Sequence, residues 1–301
     1  MATADLELKQ VVAKFRKMDP TGARTAAVLR QTLDQLYDGL HTGRYRWDQL
    51  HKTEKTHCGT LVEINLHREF KFEDGLSMDY LIEEIEVDCK YSQSLGGWMI
   101  PPESIGHLCL LVSADDMAAT WCLGVVRICE SILTRGNNRD AKRSISAAGR
   151  EAIQWIFRDA ALPPNVLLEL PRSTVDRIMA LSSGQRRIAE IFRVAQQRRI
   201  GRGVIATLGQ QNDYMKRVRD NGGSRGRLKS EGIVILGHYE AHRRIASDLG
   251  VPVPERGEMV SVRLAPASEI GKGVAEIDGG LWRVAVDSDR VVAAPTCPHV
   301  R

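Results

Sequence analysis

The hydropathy period of this chain changes near residue 70, and that change bounds what it can fold into. Before it, apolar residues recur every three or four positions. TAAVLRQTLDQLYDGL (25–40) sets Leu29, Leu33, Leu36 and Leu40 on one stripe, and GTLVEINLHREF (59–70) reads the same way. Such spacing predicts amphipathic helices. After it, SMDYLIE (77–83) and IEVDCKYS (85–92) alternate like two paired strands. HLCLLVS (107–113) and WCLGVVRI (121–128) are nearly continuous apolar runs, as in central strands buried on both faces. Residues 137–158 are expected to be helical. Pro163-Pro164 marks the boundary between two α/β domains, 1–160 and 165–301. Beyond it the sequence predicts a short strand at VLLELP (166–171), helix over 173–199 and a strand or buried helix at GRGVIATLG (201–209). A helix follows over 209–220, ending at Asn221-Gly222-Gly223, and then strands at 232–238 and 258–264.

The strand pair at 77–92 carries the chemistry. A hairpin turning at Glu83-Glu84 pairs residues whose numbers sum to 167, so Asp79 faces Asp88. Directly opposed side chains have Cβ atoms about 4.5–5.5 Å apart. Carboxylates that close raise each other's pKa unless a cation lies between them. Oxygen donors with room for water suit Mg²⁺. Alternation puts Glu86, Asp88 and Lys90 towards a cleft and Ile85, Val87, Cys89 and Tyr91 towards a core. Glu63, on the preceding helix, offers a third carboxylate. Asp-x-Lys by itself is a weak signal, since Glu7-Leu-Lys9, Glu69-Phe-Lys71 and Asp140-Ala-Lys142 also occur. Only Asp88-Cys-Lys90 lies on a predicted buried strand with a carboxylate opposite. The pattern suits metal-assisted phosphodiester hydrolysis, with Lys90 orienting or deprotonating the attacking water. A salt-bridge ladder of Asp79, Asp88 and Lys90, or another metal enzyme, fits the same spacing. Glu-Glu also lacks the glycine or asparagine of a tight hairpin turn.

Charge is divided unevenly. Residues 172–229 hold 14 Lys and Arg against 4 Asp and Glu, whereas the chain as a whole is only +4. Arginine predominates in that excess, and its planar fork suits phosphate. Lys216, Arg217 and Arg219 would line a recognition-type helix over Tyr214 and Val218, and Gly222-Gly223 would lead into an arm bearing Arg225, Arg227 and Lys229. In the first half Arg135–Arg143 is expected to follow a strand and open a helix. There Arg139 and Asp140 could read guanine and cytosine edges, or the segment could simply cap a helix and touch phosphate.

The remaining composition excludes several classes. Apolar residues make up 43% and charged residues 27%, a globular balance with no run long enough to span a membrane. MATADLELKQ lacks the apolar centre of a secretory signal. Six cysteines without a CxxC pair read as free thiols in a reducing cytoplasm.

Longer stretches carry a resemblance. HKTEKTHCGTLVEINLHREF (51–70), VDCKYS (87–92), WMIPPESIGH (98–107), RTAAVLRQTLDQLYDG (24–39) and MKRVR with the following Gly-Gly (215–223) resemble the NaeI-like type II (type IIE) restriction endonucleases. The likeness runs from about residue 15 to 290 and weakens at both ends and around 150–190. It implies a PD-(D/E)xK catalytic domain, a mixed sheet flanked by helices. It also implies a C-terminal helix-turn-helix (CAP-like) domain that binds an effector copy of the DNA site. The implied enzyme is a Mg²⁺-dependent homodimer that cuts double-stranded GCCGGC centrally to blunt ends. Glu63, Asp79, Asp88 and Lys90 match the family's acidic triad and lysine. Two other readings stay open at this point, a non-catalytic helix-turn-helix regulator and a topoisomerase-like strand-passage enzyme, although no tyrosine motif supports the latter.

Overall fold

The computed structural model describes residues 5–298. The signal-peptide reading falls partly on residues 1–4, outside the described residues; from Leu6 the same stretch is already helix. The described chain forms two compact units. One comprises the residues through Leu36 with Trp47–Pro163, the other Tyr37–Arg46 with the residues from Pro164 on.

Along the chain come α1 (Leu6–Met18), α2 (Ala23–Tyr37), α3 (Gly39–Thr42) and α4 (Lys52–Phe70). They are followed by β1 (Glu73–Asp74), β2 (Tyr80–Ile82), β3 (Ile85–Ser92), β4 (Met99–Ile100), β5 (Leu108–Asp115), β6 (Thr120–Arg127), β7 (Arg143–Ser144) and β8 (Gln154–Ala161). The first unit is built on a mixed sheet in the order β1-β2-β3-β5-β6-β8. Only β3 and β5 run parallel, with Asp88 opposite Cys109 and Lys90 opposite Leu111. The apolar runs occupy the centre, where β5 is buried from Leu108 to Ala114. α4 begins at His51, whose N–H donates to Glu54 at 2.8 Å. It buries Cys58, Val62, Leu66 and Phe70, one stripe at four-residue spacing, and ends at Lys71 in the left-handed region. That stripe packs α4 on β3.

The β2–β3 hairpin has Tyr80 opposite Val87, Leu81 opposite Glu86 and Ile82 opposite Ile85, the register the alternation predicts. Glu83 and Glu84 form its two-residue turn with φ of 51° and 63°. Both thus take the left-handed conformation that primed hairpin turns demand, without the residues that adopt it at low cost.

The helix expected over 137–158 is not formed. Residues 143–144 pair with β4, a short 3-10 turn spans Gly149–Ala152, and 154–161 is the edge strand β8 on β6.

The second unit holds α5 (Val166–Glu169), α6 (Arg172–Met179), α7 (Gly184–Val194), β9 (Ile200–Gly201), α8 (Arg202–Gly209), α9 (Ser224–Leu228), β10 (Ile233–Gly237), α10 (Glu240–Asp248), β11 (Glu258–Pro266), β12 (Val274–Ile277) and β13 (Gly280–Val284). β9 and β10 both pair antiparallel with β11. The strand expected at VLLELP is helical, because the Asn165 side chain accepts the Leu167 N–H and caps it. Tyr37–Arg46 is an integral part of this unit. Tyr45 lies in its core with Val166 and Phe192, its carbonyl accepts the Asn165 side-chain amide, and a Cβ on Gly39 would collide with Thr207 at 1.9 Å.

Candidate active site

The hairpin register carries beyond the paired residues of β2 and sets Asp79 beside Asp88. Asp79 Oδ2 accepts the Cys89 backbone N–H at 2.7 Å, which anchors the carboxylate of the loop to the strand that bears Asp88. Burial and then the neighbouring Asp88 carboxyl push Asp79 up to about 6, against the pull of the Cys89 N–H and of Lys90. Asp88 is only 3% exposed. Its Oδ1 accepts from the Lys90 ammonium, whose Nζ also lies 3.7 Å from Asp79. Burial pulls the Lys90 pKa down, but the Asp88 and Asp79 carboxylates together outweigh it and the net shift is upward. In this metal-free state Lys90 therefore holds its proton more tightly than a free lysine.

Glu63 is half-buried on α4, one residue beyond the buried Val62. Burial raises its pKa, with Lys90 pulling down and Asp88 pushing up, so its carboxyl feels both groups. The Tyr80 hydroxyl donates to the Glu63 carbonyl at 2.8 Å and fixes α4 against β2. Among the described residues, no three acidic, histidine or cysteine side chains converge as a ready metal cage. What the structure brings together is Asp79, Asp88 and Lys90, with Glu63 in their field. Two hard carboxylates pressed together at an energetic cost fit a hard divalent cation that keeps several waters and takes one or two protein carboxylates.

Glu86 departs from the expected charged row. Its carboxylate turns back to accept the N–H groups of Leu76, Ser77 and Met78, at 2.7, 3.2 and 2.7 Å, and so closes the loop that leads into Asp79. Cys89 is buried as expected.

Sequence reasoning passed over Ser104. It lies in WMIPPESIGH, is fully buried, and donates its hydroxyl to Asp88 Oδ2. No spacing rule links a residue on a 3-10 turn to a strand that far upstream; only the fold brings them together.

The family model for restriction endonuclease NaeI matches residues 9–293, a span that includes all four of these residues. The chain is also 50% identical over 306 residues to the type II restriction enzyme NaeI of Lentzea aerocolonigenes, covering 99% of this chain and 96% of that one.

This chain belongs to the NaeI restriction endonuclease family. As a member of the NaeI family it is a restriction endonuclease. No described helix is long and apolar enough to cross a membrane.

Outside the acidic cluster, this NaeI-family chain differs from several sequence expectations. Arg139 and Asp140 are exposed on a tight loop, not at a helix start. Asn138 shapes that loop, its side chain accepting the N–H groups of Asp140 and Lys142. The expected recognition helix over 209–220 is reduced to a 3-10 turn at Tyr214–Val218. Val218 is buried there and Arg219 exposed. Lys216 pairs with Asp213 at 3.6 Å, and Arg217 donates to Gln211 at 2.7 and 3.1 Å. Arg225 and Arg227 lie on α9 instead of a free arm. Arg225 donates to the Ile235 carbonyl at 3.0 Å and so braces β10. Arg227 is exposed beside the Gly222 carbonyl.

Proposed function

We propose that this NaeI-family endonuclease is Mg²⁺-dependent and hydrolyses both strands of a G·C-rich palindrome in double-stranded DNA, with GCCGGC cut centrally as the specific expectation. The contact among Asp79, Asp88 and Lys90 carries this reading, because it gathers hard oxygen donors and a cation where a loop meets strand β3 in a nuclease-family chain. A PD-(D/E)xK catalytic domain over 1–160 accords with the mixed sheet that presents them.

Asp79 and Asp88 would hold the ion directly, with Glu63 reaching it directly or through water. When bound, the ion supplies Lewis-acid stabilisation of charge on a phosphate oxygen and a water of lowered pKa. The chain's own groups do the remaining work. Cys89 N–H holds Asp79 in place. Lys90, released from Asp88 Oδ1, donates to the attacking water or to a phosphoryl oxygen and orients it for in-line attack at phosphorus.

Residues 165–301, which form the second unit together with Tyr37–Arg46, are read as an effector DNA-binding domain. Its order α7-β9-α8-α9-β10-α10-β11, with β11 between β9 and β10, is similar to a winged helix-turn-helix with one helix added between the last two strands, which supports the CAP-like reading. A homodimer would match the two-fold symmetry of a palindrome. The protein would act in the cytoplasm, where cellular DNA is reached.

The deciding experiment incubates the protein with a sequenced plasmid and Mg²⁺ beside Asp88→Ala, then maps the ends. Wild type is expected to give discrete double-strand cuts at one palindrome and the variant none. An intact plasmid across a range of salt favours the non-catalytic regulator. Relaxation of supercoils with protein attached to a DNA end favours strand passage.

A further inference from the structure

We infer that Ser104 is a positioning residue for the metal-binding carboxylate Asp88, an inference that rests on the nuclease reading above. The two oxygens of Asp88 have different partners. Oδ1 takes the Lys90 ammonium and Oδ2 takes the Ser104 hydroxyl. Lys90 is the movable partner. Its side chain is 23% exposed and ends a flexible stem, and it can withdraw when a divalent cation arrives. Ser104 is the fixed one. It is fully buried, its Oγ sits one bond from Cβ, and its backbone N–H donates to the Pro101 carbonyl at 3.2 Å.

The segment that carries it is anchored at both sides. Upstream, Trp98 is fully buried and its indole N–H donates to the Val112 carbonyl at 2.8 Å, while Ile100 packs into the core beside it. Downstream, the Gly106 N–H donates to the Ile128 carbonyl at 2.8 Å. Pro101 and Pro102 fix the backbone at the start of the turn. The Ser104 donor is thus held through two other strands of the sheet, β5 and the end of β6, and not by β3 itself.

This division of partners has a chemical consequence. A carboxylate with Oδ2 held by a buried hydroxyl cannot rotate freely, so Oδ1 stays aimed at the place Lys90 now fills. Without Ser104, Asp88 would turn, and the donor pair with Asp79 would loosen.

The test uses Ser104→Ala and Ser104→Thr in the full-length protein. Mn²⁺ is titrated calorimetrically into the DNA-free protein, and single-turnover plasmid cleavage is followed against Mg²⁺ concentration. Ser104→Ala is expected to weaken Mn²⁺ binding about 10-fold or more and to raise the Mg²⁺ needed for half-maximal rate by a similar factor. DNA binding in EDTA should be unchanged, and Ser104→Thr, which keeps the hydroxyl, should recover most of the metal affinity. Mn²⁺ and Mg²⁺ curves for Ser104→Ala that superimpose on wild type would overturn the inference while leaving the nuclease reading intact. A wild type that neither binds Mn²⁺ nor cuts DNA would remove both.

Discussion

Asp79 Oδ2 and the Cys89 backbone N–H are joined at 2.7 Å, so one acidic side chain of the site is fastened to the main chain beside the other. Its charge at neutral pH is held at a cost, because burial and the Asp88 carboxyl raise its pKa to about 6. A carboxyl raised on folding lends stability below its unfolded value and loses it as pH rises through the folded one. Asp79→Asn keeps an oxygen for the Cys89 N–H and removes the charge. In metal-free protein at pH 7.5 it is expected to raise stability by about 1 kcal/mol or less, since solvent screens this half-buried group. It should also abolish cleavage. Thermal melts in EDTA and a plasmid assay with Mg²⁺ check the two halves; a fall in melting temperature contradicts the first.

The Glu83-Glu84 turn makes a second prediction. Two residues with side chains occupy the left-handed region there, at about 1 kcal/mol or more each. Glu84→Gly relieves one and keeps the Glu83 ion pair with Lys14. After the entropy glycine adds to the unfolded chain, a net gain of about 0.5–1 kcal/mol is expected in denaturant unfolding, with cleavage unaltered. A loss of stability would show that the turn is not primed.

His242 governs a pH response in the second unit. It is 3% exposed, its Nδ1 accepts the Gly237 N–H at 3.0 Å, and its Nε2 lies 3.2 Å from the Pro298 carbonyl. Both contacts are met by the neutral ring that carries its proton on Nε2. Burial, then the Arg225 charge, lowers its pKa from 6.5. The unfolded state therefore binds the proton more readily, and stability present above pH 6.5 is lost as pH falls through that value towards the folded one. Melting temperature should drop between pH 7 and 5, and His242→Gln should flatten the drop. A profile identical in the two proteins would count against this role.

Arg219 and Arg225 separate two uses of arginine. Arg219 is exposed, whereas Arg225 braces β10 through the Ile235 carbonyl. Arg219→Ala should reduce the slope of log K against log salt for DNA binding by about 1. Arg225→Ala should lower stability by about 1 kcal/mol, the worth of such a hydrogen bond, and leave that slope nearly unchanged. Filter binding across a salt series, beside thermal melts, distinguishes them; equal slopes for wild type and Arg219→Ala would remove Arg219 from the phosphate contacts.

The residues that proved legible in the sequence are those where a local rule and the tertiary environment agree. The β2–β3 register follows from alternation alone, since a slip of one residue would turn Val87 out of the core and Asp88 off its face. Residues 137–158 read as helix because Ala148, Arg150, Glu151 and Ala152 favour it locally. Pairing of 154–161 with β6 overrides that preference, and Gly149 is pressed so close to the Ile132 carbonyl that a Cβ would lie 2.2 Å from it. Residues 209–220 carry a helical pattern but shorten to a 3-10 turn, with Tyr214, Met215 and Val218 on the core. Ser104 left no trace because its partner lies on another element and a lone serine has no period.

The insertion of Tyr37–Arg46 into the second unit bears on how such a protein can be dissected. The polypeptide crosses between the two units before α3, after Arg46 and again at Pro163-Pro164, so a single cut at the proline pair does not free either half. A C-terminal fragment made that way would lack Tyr45 from its interior and Gly39 from beside Thr207, leaving an apolar slot open to water. Recombining the halves of related enzymes therefore demands two exchanged pieces, and a swap that carries only the long one invites misfolding.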